Sequence, residues 1–223
     1  MMKTMKKLSL LLAGILAATM LVGCGSFDAS GYIKALLDNS YKNDSAAFVE
    51  QKVGTAEQAK ELYDLGIETE LKSLISGVTL SDELKDEFTA VLQDVYKSVK
   101  YTVGEAKKQD DDSYVVEIKY QKMKVFAAAM EKFQADQQAY TDELSEQVQN
   151  GGEYPSEDEI NEQVYTILKD AIKDAAANAQ YEDEASTTVR IELKDKVYSP
   201  NQDDVEALEY ALFDLEEASS LSK

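Results

Sequence analysis

The chain has no histidine and no tryptophan, one cysteine and one arginine in 223 residues. Without histidine there is no Ser-His-Asp or Cys-His nucleophile system, no imidazole general base and almost no route to a zinc site. A single cysteine makes no intrachain disulfide, so the fold must be held by its core alone, and a chain of this length is able to bury one. There is no glycine-rich phosphate loop, and Arg190 by itself makes a poor anion clamp. The missing tryptophan removes the usual platform for a sugar ring.

Negative charge is what the chain has in excess: 43 acids against 23 bases, a net charge of −20. Such a surface repels nucleic acid and anionic headgroups, so no nucleic-acid partner is expected and a charged partner should be cationic. An acidic surface also serves solubility alone. Lys3, Lys6 and Lys7 form a basic start, followed by an apolar run over residues 8–22 and then Gly23 and Cys24, in the manner of an export signal. That run is shorter than the ~20 residues a spanning helix needs.

The end of this segment, Leu21-Val22-Gly23-Cys24, resembles the lipobox of bacterial lipoproteins. The resemblance implies that the Cys24 thiol receives a diacylglyceryl group and that cleavage removes residues 1–23 as a signal peptide. Residues 24–223 would then be tethered to the extracytoplasmic face of the cell membrane. Two acyl chains are what stable attachment requires. Loss of three lysines and no acids would take the net charge from −20 to −23. Only Gly25, Ser26 and Phe27 separate the anchor from Asp28, so the domain begins close to the lipid.

Asp28 is expected to cap a first helix with Tyr32, Ile33, Leu36, Leu37 and Tyr41 on one face. A capping box from Thr55 to Gln58 opens a second helix that stops near Gly77, and a third begins at about Ser81. The period then changes to two: strands over 99–105 and 114–122 form a hairpin. Its tip carries Asp110, Asp111 and Asp112 but lacks the alternate spacing, glycine and closing glutamate of a calcium loop, so a solvated turn is expected. A long helix from Met123 breaks at Asn150-Gly151-Gly152, and a second helix is capped by the box at Ser156. Together they form a helical hairpin over 124–180. A third strand is expected over 186–197. A last helix follows, with Pro200 at its first position, a capping box from Ser199 to Gln202, and Val205, Leu208, Leu212 and Leu215 inside. The fold class is α+β: a single domain with a small antiparallel sheet of about three strands covered by helices, and the helical hairpin inserted before the last strand.

The lipobox, the helix "FDASGYIKALLDNSYK", the strand "YTVGEAKK" and the long helical insertion resemble a group of small lipoproteins of unknown function in Gram-positive anaerobes. These are described as related to cystatin-like or NTF2-like folds, which implies helices lying across a curved antiparallel sheet. The resemblance supplies no catalytic or binding residue.

Paired carboxylates would be the only catalytic groups, held roughly 5–10 Å apart as in a glycosidase. The acids fall at helix N-termini and on outer helix faces, with none expected in an apolar segment where burial would raise its pKa. Tyrosine is the more informative residue. Tyr101, Tyr114 and Tyr120 share the inner phase of the hairpin and Tyr63 an inner helix face. They either rim a ligand pocket between sheet and helices or pack as core, which strand tyrosines ordinarily do. On the long helix, Tyr140, Leu144 and Val148 form an apolar strip that either packs on the facing helix or is offered to a partner. The expected function is a non-enzymatic binding, sensing or accessory module for an envelope protein or peptide, with no cofactor and no metal. An extracytoplasmic chaperone gripping clients with the 124–180 hairpin is the alternative, and a carboxylate hydrolase a remote one.

Overall fold

The computed structural model describes residues 20–21, 27–75 and 77–221; Cys24 lies outside them, as does most of the expected signal segment. In chain order the elements begin with β1 (Met20–Leu21), α1 (Ala29–Lys42), α2 (Ala46–Glu50), α3 (Ala56–Leu74), α4 (Asp82–Lys97), β2 (Lys100–Lys108) and β3 (Tyr114–Gln121). They continue with β4 (Met123–Lys124), α5 (Phe126–Gln149), α6 (Glu157–Ala177), β5 (Gln180–Tyr181), β6 (Ala185–Lys194), β7 (Val197–Pro200), α7 (Gln202–Leu212) and α8 (Leu215–Leu221).

The helices start where side chains take up their free N–H groups. Asp28 accepts from the Gly31 amide at 2.9 Å, and Ser81 from Leu84 at 3.1 Å. Thr55 and Gln58, and again Ser156 and Glu159, close reciprocal capping boxes. Two expectations need correction. Pro200 ends β7 rather than beginning the helix, and Asn201 caps α7 by accepting from the Asp204 amide at 3.1 Å, without a box. The single last helix is in fact two, α7 and α8, parted at Phe213 and Asp214. The short α2 was also not expected.

The sheet runs in the order β1-β7-β6-β3-β2, every pair antiparallel. It has four substantial strands rather than three, because the expected strand over 186–197 folds back on itself. Asp195 and Lys196 make the turn with φ of 51° and 65°, and Val197–Pro200 returns along β6. Two consecutive left-handed residues are what a tight hairpin turn needs. β1 contributes two residues, Met20 and Leu21, beyond β7.

Alternation decides the faces. Val116 and Ile118 of β3 and Val189 and Ile191 of β6 are buried, whereas Glu117, Lys119, Thr188 and Arg190 between them are exposed. The buried face lies against the helices, with α1 packed on β2 and β3. Burying each such side chain contributes about 1.5–3 kcal/mol. The fold is therefore α+β, with one face of a small antiparallel sheet covered by helices.

The α5–α6 hairpin enters between β3 and β6, and the antiparallel pair β4–β5 closes its base. Val125, at the N-cap of α5, offers no side-chain hydrogen bond. The cap comes from a distant part of the chain: the buried Asp214 carboxylate accepts from the amides of Val125 (3.2 Å), Phe126 (2.9 Å) and Ala127 (3.0 Å). The break between α7 and α8 thus places an anion at the positive end of α5.

Candidate functional site

Two acids contradict the expectation that none is set in an apolar segment. Glu70 lies on the inner stripe of α3 with Tyr63, Ile67 and Leu71, and Glu209 on that of α7 with Val205, Leu208 and Leu212; they are 0% and 1% exposed. Both oxygens of Glu70, Oε2 of Glu209 and the hydroxyl of the fully buried Tyr41 have no hydrogen-bond partner. The Tyr41 ring is part of an aromatic cluster. The Tyr41 centroid lies 6.1 Å from Tyr96, 6.1 Å from Tyr101 and 6.3 Å from Phe213, and Tyr96 is 5.6 Å from Phe213.

Burial pushes the Glu70 carboxyl up to about 9, with the Glu209 charge adding to it, and pushes Glu209 up to about 8, with Glu206 adding. The phenols of Tyr41 and Tyr96 are raised by burial first and then by the same two acids. Near pH 7 both carboxyls therefore hold their protons and are neutral.

The four tyrosines that either rim a pocket or pack as core differ in their contacts. The Tyr101 hydroxyl donates to Asp38 Oδ1 at 2.6 Å, and Lys42 Nζ stands 4.3 Å from its ring centroid. Burial works to raise the Asp38 carboxyl, but hydrogen bonds from Lys34, Tyr101 and Lys42 outweigh it and hold the group below its ordinary value. Tyr120 sits opposite Tyr101 across the β2–β3 ladder, half-buried. Tyr114, at the far end of that ladder, packs against Phe27 at 5.5 Å and Tyr198 at 5.6 Å. Tyr63 is buried on α3, its phenol raised by burial and then by Asp64 and Asp94. The sequence reading missed Glu70 and Glu209, although their positions in the 3.6-residue stripe mark them.

The α5–α6 hairpin changes character along its length. Phe126, Ala129, Met130 and Phe133 of α5 and Tyr165, Leu168, Ala171 and Ile172 of α6 are buried near the body. The body also holds the hairpin through Lys169 Nζ to Glu87 at 2.5 Å, the Tyr165 hydroxyl to the Leu74 carbonyl at 3.4 Å, and the Ser81 amide to Glu162 at 3.1 Å. Farther out the support ends. Tyr140 and Leu144 are half-buried, Val148 is 39% exposed, and Tyr154 in the connecting loop is 67% exposed. From residue 133 to 168 the chain carries three aspartates and six glutamates and neither lysine nor arginine. The outer hairpin is thus an acidic arm with an apolar tip, suited chemically to binding a cationic, amphipathic surface.

At the hairpin tip of β2–β3, Asp111 accepts from the Ser113 amide at 3.1 Å and Asp112 pairs with Lys108 at 2.5 Å. Arg190 is committed to Asp204 at 2.7 Å and to Asn201 at 2.9 Å. Among the described residues no helix is long and apolar enough to cross a membrane, and no cluster of three or more acids, cysteines or histidines is placed to hold a metal. Comparison with known proteins finds no matching family, no similar curated protein and no similar solved structure.

Proposed function

We propose that this protein is a lipid-anchored, non-enzymatic binding module on the extracytoplasmic face of the cell membrane, whose α5–α6 arm takes a basic amphipathic segment of another envelope protein. The observation that carries this reading is the arm itself: from residue 133 to 168 every charge is negative, around the exposed Val148 and Tyr154. Helix-in-groove recognition uses such a combination, with apolar contact for affinity and charge for orientation and on-rate. The lipobox supplies the location, and the buried lower half of the hairpin supplies the rigid base.

A photo-activatable residue in place of Tyr154, irradiated in intact membranes, tests it. One dominant adduct, weakened by high salt, supports the binding module. A ladder of many adducts favours the chaperone reading, for which the exposed tip is also suited, and no adduct contradicts both.

The anchor has its own test. Cys24→Ala should abolish labelling with a radioactive fatty acid and release the protein or leave it unprocessed, because the chain has no second thiol to accept the lipid. Equal labelling of the variant contradicts the anchor.

A further inference from the structure

We infer that the end of the sheet carrying Phe27 is the surface that meets the lipid headgroups, and that the α5–α6 arm is offered from the opposite end. This orientation rests on the lipid anchor proposed at Cys24.

Covalent reach comes first. Gly25 and Ser26 are the only residues between Cys24 and Phe27, and three peptide units span at most ~11 Å. Phe27 is fixed to the domain at the other end of that reach. Its ring stacks on Tyr198 at 4.0 Å and an interplanar angle of 9°, and meets Tyr114 edge-on at 5.5 Å and Tyr32 at 5.4 Å. Such aromatic contacts contribute ~0.5–1.5 kcal/mol each beyond the area they bury. One residue on, Asp28 caps α1, and the Ser30 hydroxyl donates to the Gly104 carbonyl at 2.8 Å. A lipid at Cys24 is thereby tied to one end of the sheet rather than to a long, loose linker.

Strand direction identifies that end. Tyr114 opens β3 just after the β2–β3 turn, and the Tyr198 hydroxyl donates to the Asp112 carbonyl of that turn at 3.4 Å. Tyr198 pairs with Leu193, so the β6–β7 turn at Asp195 and Lys196 lies at the same end. From Tyr114 the eight residues of β3 run ~25 Å to Gln121, and the β4–β5 pair at the base of the arm follows directly. Anchor and arm base are therefore at opposite ends of the sheet.

Charge favours the same orientation. The two turns at the Phe27 end, residues 107–112 and 194–196, carry four lysines and four aspartates between them and are neutral in sum. The arm, from residue 133 to 168, carries nine acids and no base. An anionic headgroup surface repels the arm and is indifferent to the turns.

The test uses the full chain, lipidated in cells and reconstituted in vesicles of phosphatidylcholine and phosphatidylglycerol that carry a nitroxide at the headgroup. Asp110→Cys places a fluorophore at the β2–β3 turn and Asp183→Cys places one beside the arm base, both at exposed positions. Each label sits on the sole free thiol, because Cys24 is acylated. The nitroxide should quench the Asp110 probe several-fold more than the Asp183 probe. A Gly/Ser leash of about ten residues inserted after Ser26 should weaken the quenching at Asp110. Equal quenching of the two probes, stronger quenching at Asp183, or an Asp110 signal unchanged by the insertion overturns the orientation. A wash in high salt reads the anchor separately. Protein that washes off contradicts the anchor and the orientation with it, whereas protein that stays bound but is quenched alike at both sites keeps the anchor and loses only the orientation.

Discussion

Raising the pH from 5 to 8 should lower the melting temperature steeply, and Glu70→Gln/Glu209→Gln should remove most of that loss. Both acids have folded pKa values above the ordinary 4.5, at about 9 and about 8. Between pH 5 and 8 the folded protein keeps two protons that the unfolded chain has lost. Since stability falls with pH wherever the native state binds more protons, the stabilising contribution is full below the unfolded pKa and is lost as pH rises towards the folded values. Two protons correspond to about 2.7 kcal/mol per pH unit, and over the three-unit window the loss is about 7 kcal/mol. For a domain of this size that is a Tm shift of roughly 10 °C or more. Glutamine keeps the shape and cannot ionise, so the double variant should melt well above wild type at pH 8 and close to it at pH 5. A flat wild-type profile between these values contradicts the buried pair.

Asp214→Ala should be the most damaging single substitution among the capping residues. Three backbone amides at the start of α5 lose their acceptor in a buried setting. Hydrogen bonds to a charged group contribute about 1.5–3 kcal/mol each, and buried donors left unsatisfied add their desolvation, so a net loss of roughly 3–5 kcal/mol is expected after relaxation. Asp214→Asn keeps one acceptor oxygen and should lose less. Hydrogen exchange locates the effect: the amides of Val125, Phe126 and Ala127 should lose protection first, ahead of β3 and β6. A Tm within about 2 °C of wild type would mean that the cap contributes nothing to stability. The consequence reaches the arm, because α5 is aimed from this end.

Much of this fold was legible because local chemistry and global packing agree. The caps at Asp28, Thr55, Ser81 and Ser156 and the stripes behind them locate α1, α3, α4 and α6. The failures have physical causes. β6 and β7 read as one strand because Asp195 and Lys196 make a left-handed turn without glycine, a conformation their side chains tolerate but do not announce. The break between α7 and α8 was hidden because the partner of Asp214 is α5, 88 residues away from it at Phe126. Glu70 escaped notice because the acids as a class read as solvated, yet it sits in register with Tyr63, Ile67, Leu71 and Leu74, and periodicity outranks residue type. Tyr101, Tyr114, Tyr120 and Tyr63 share an inward phase, but phase does not say which helix covers each one.

The arm is the centre of the functional account, and replacing its two exposed apolar side chains tests it most directly. Tyr140 and Leu144 stay in place because they are half-packed, whereas Val148 and Tyr154 are exposed and their loss should cost the fold little. With a photo-cross-linker at Gln149, Val148→Ser/Tyr154→Ser should lose the partner adduct formed by the otherwise wild-type arm, while its Tm stays within about 2 °C. An undiminished adduct would contradict recognition by the tip, and a large fall in Tm would mean that these residues are core.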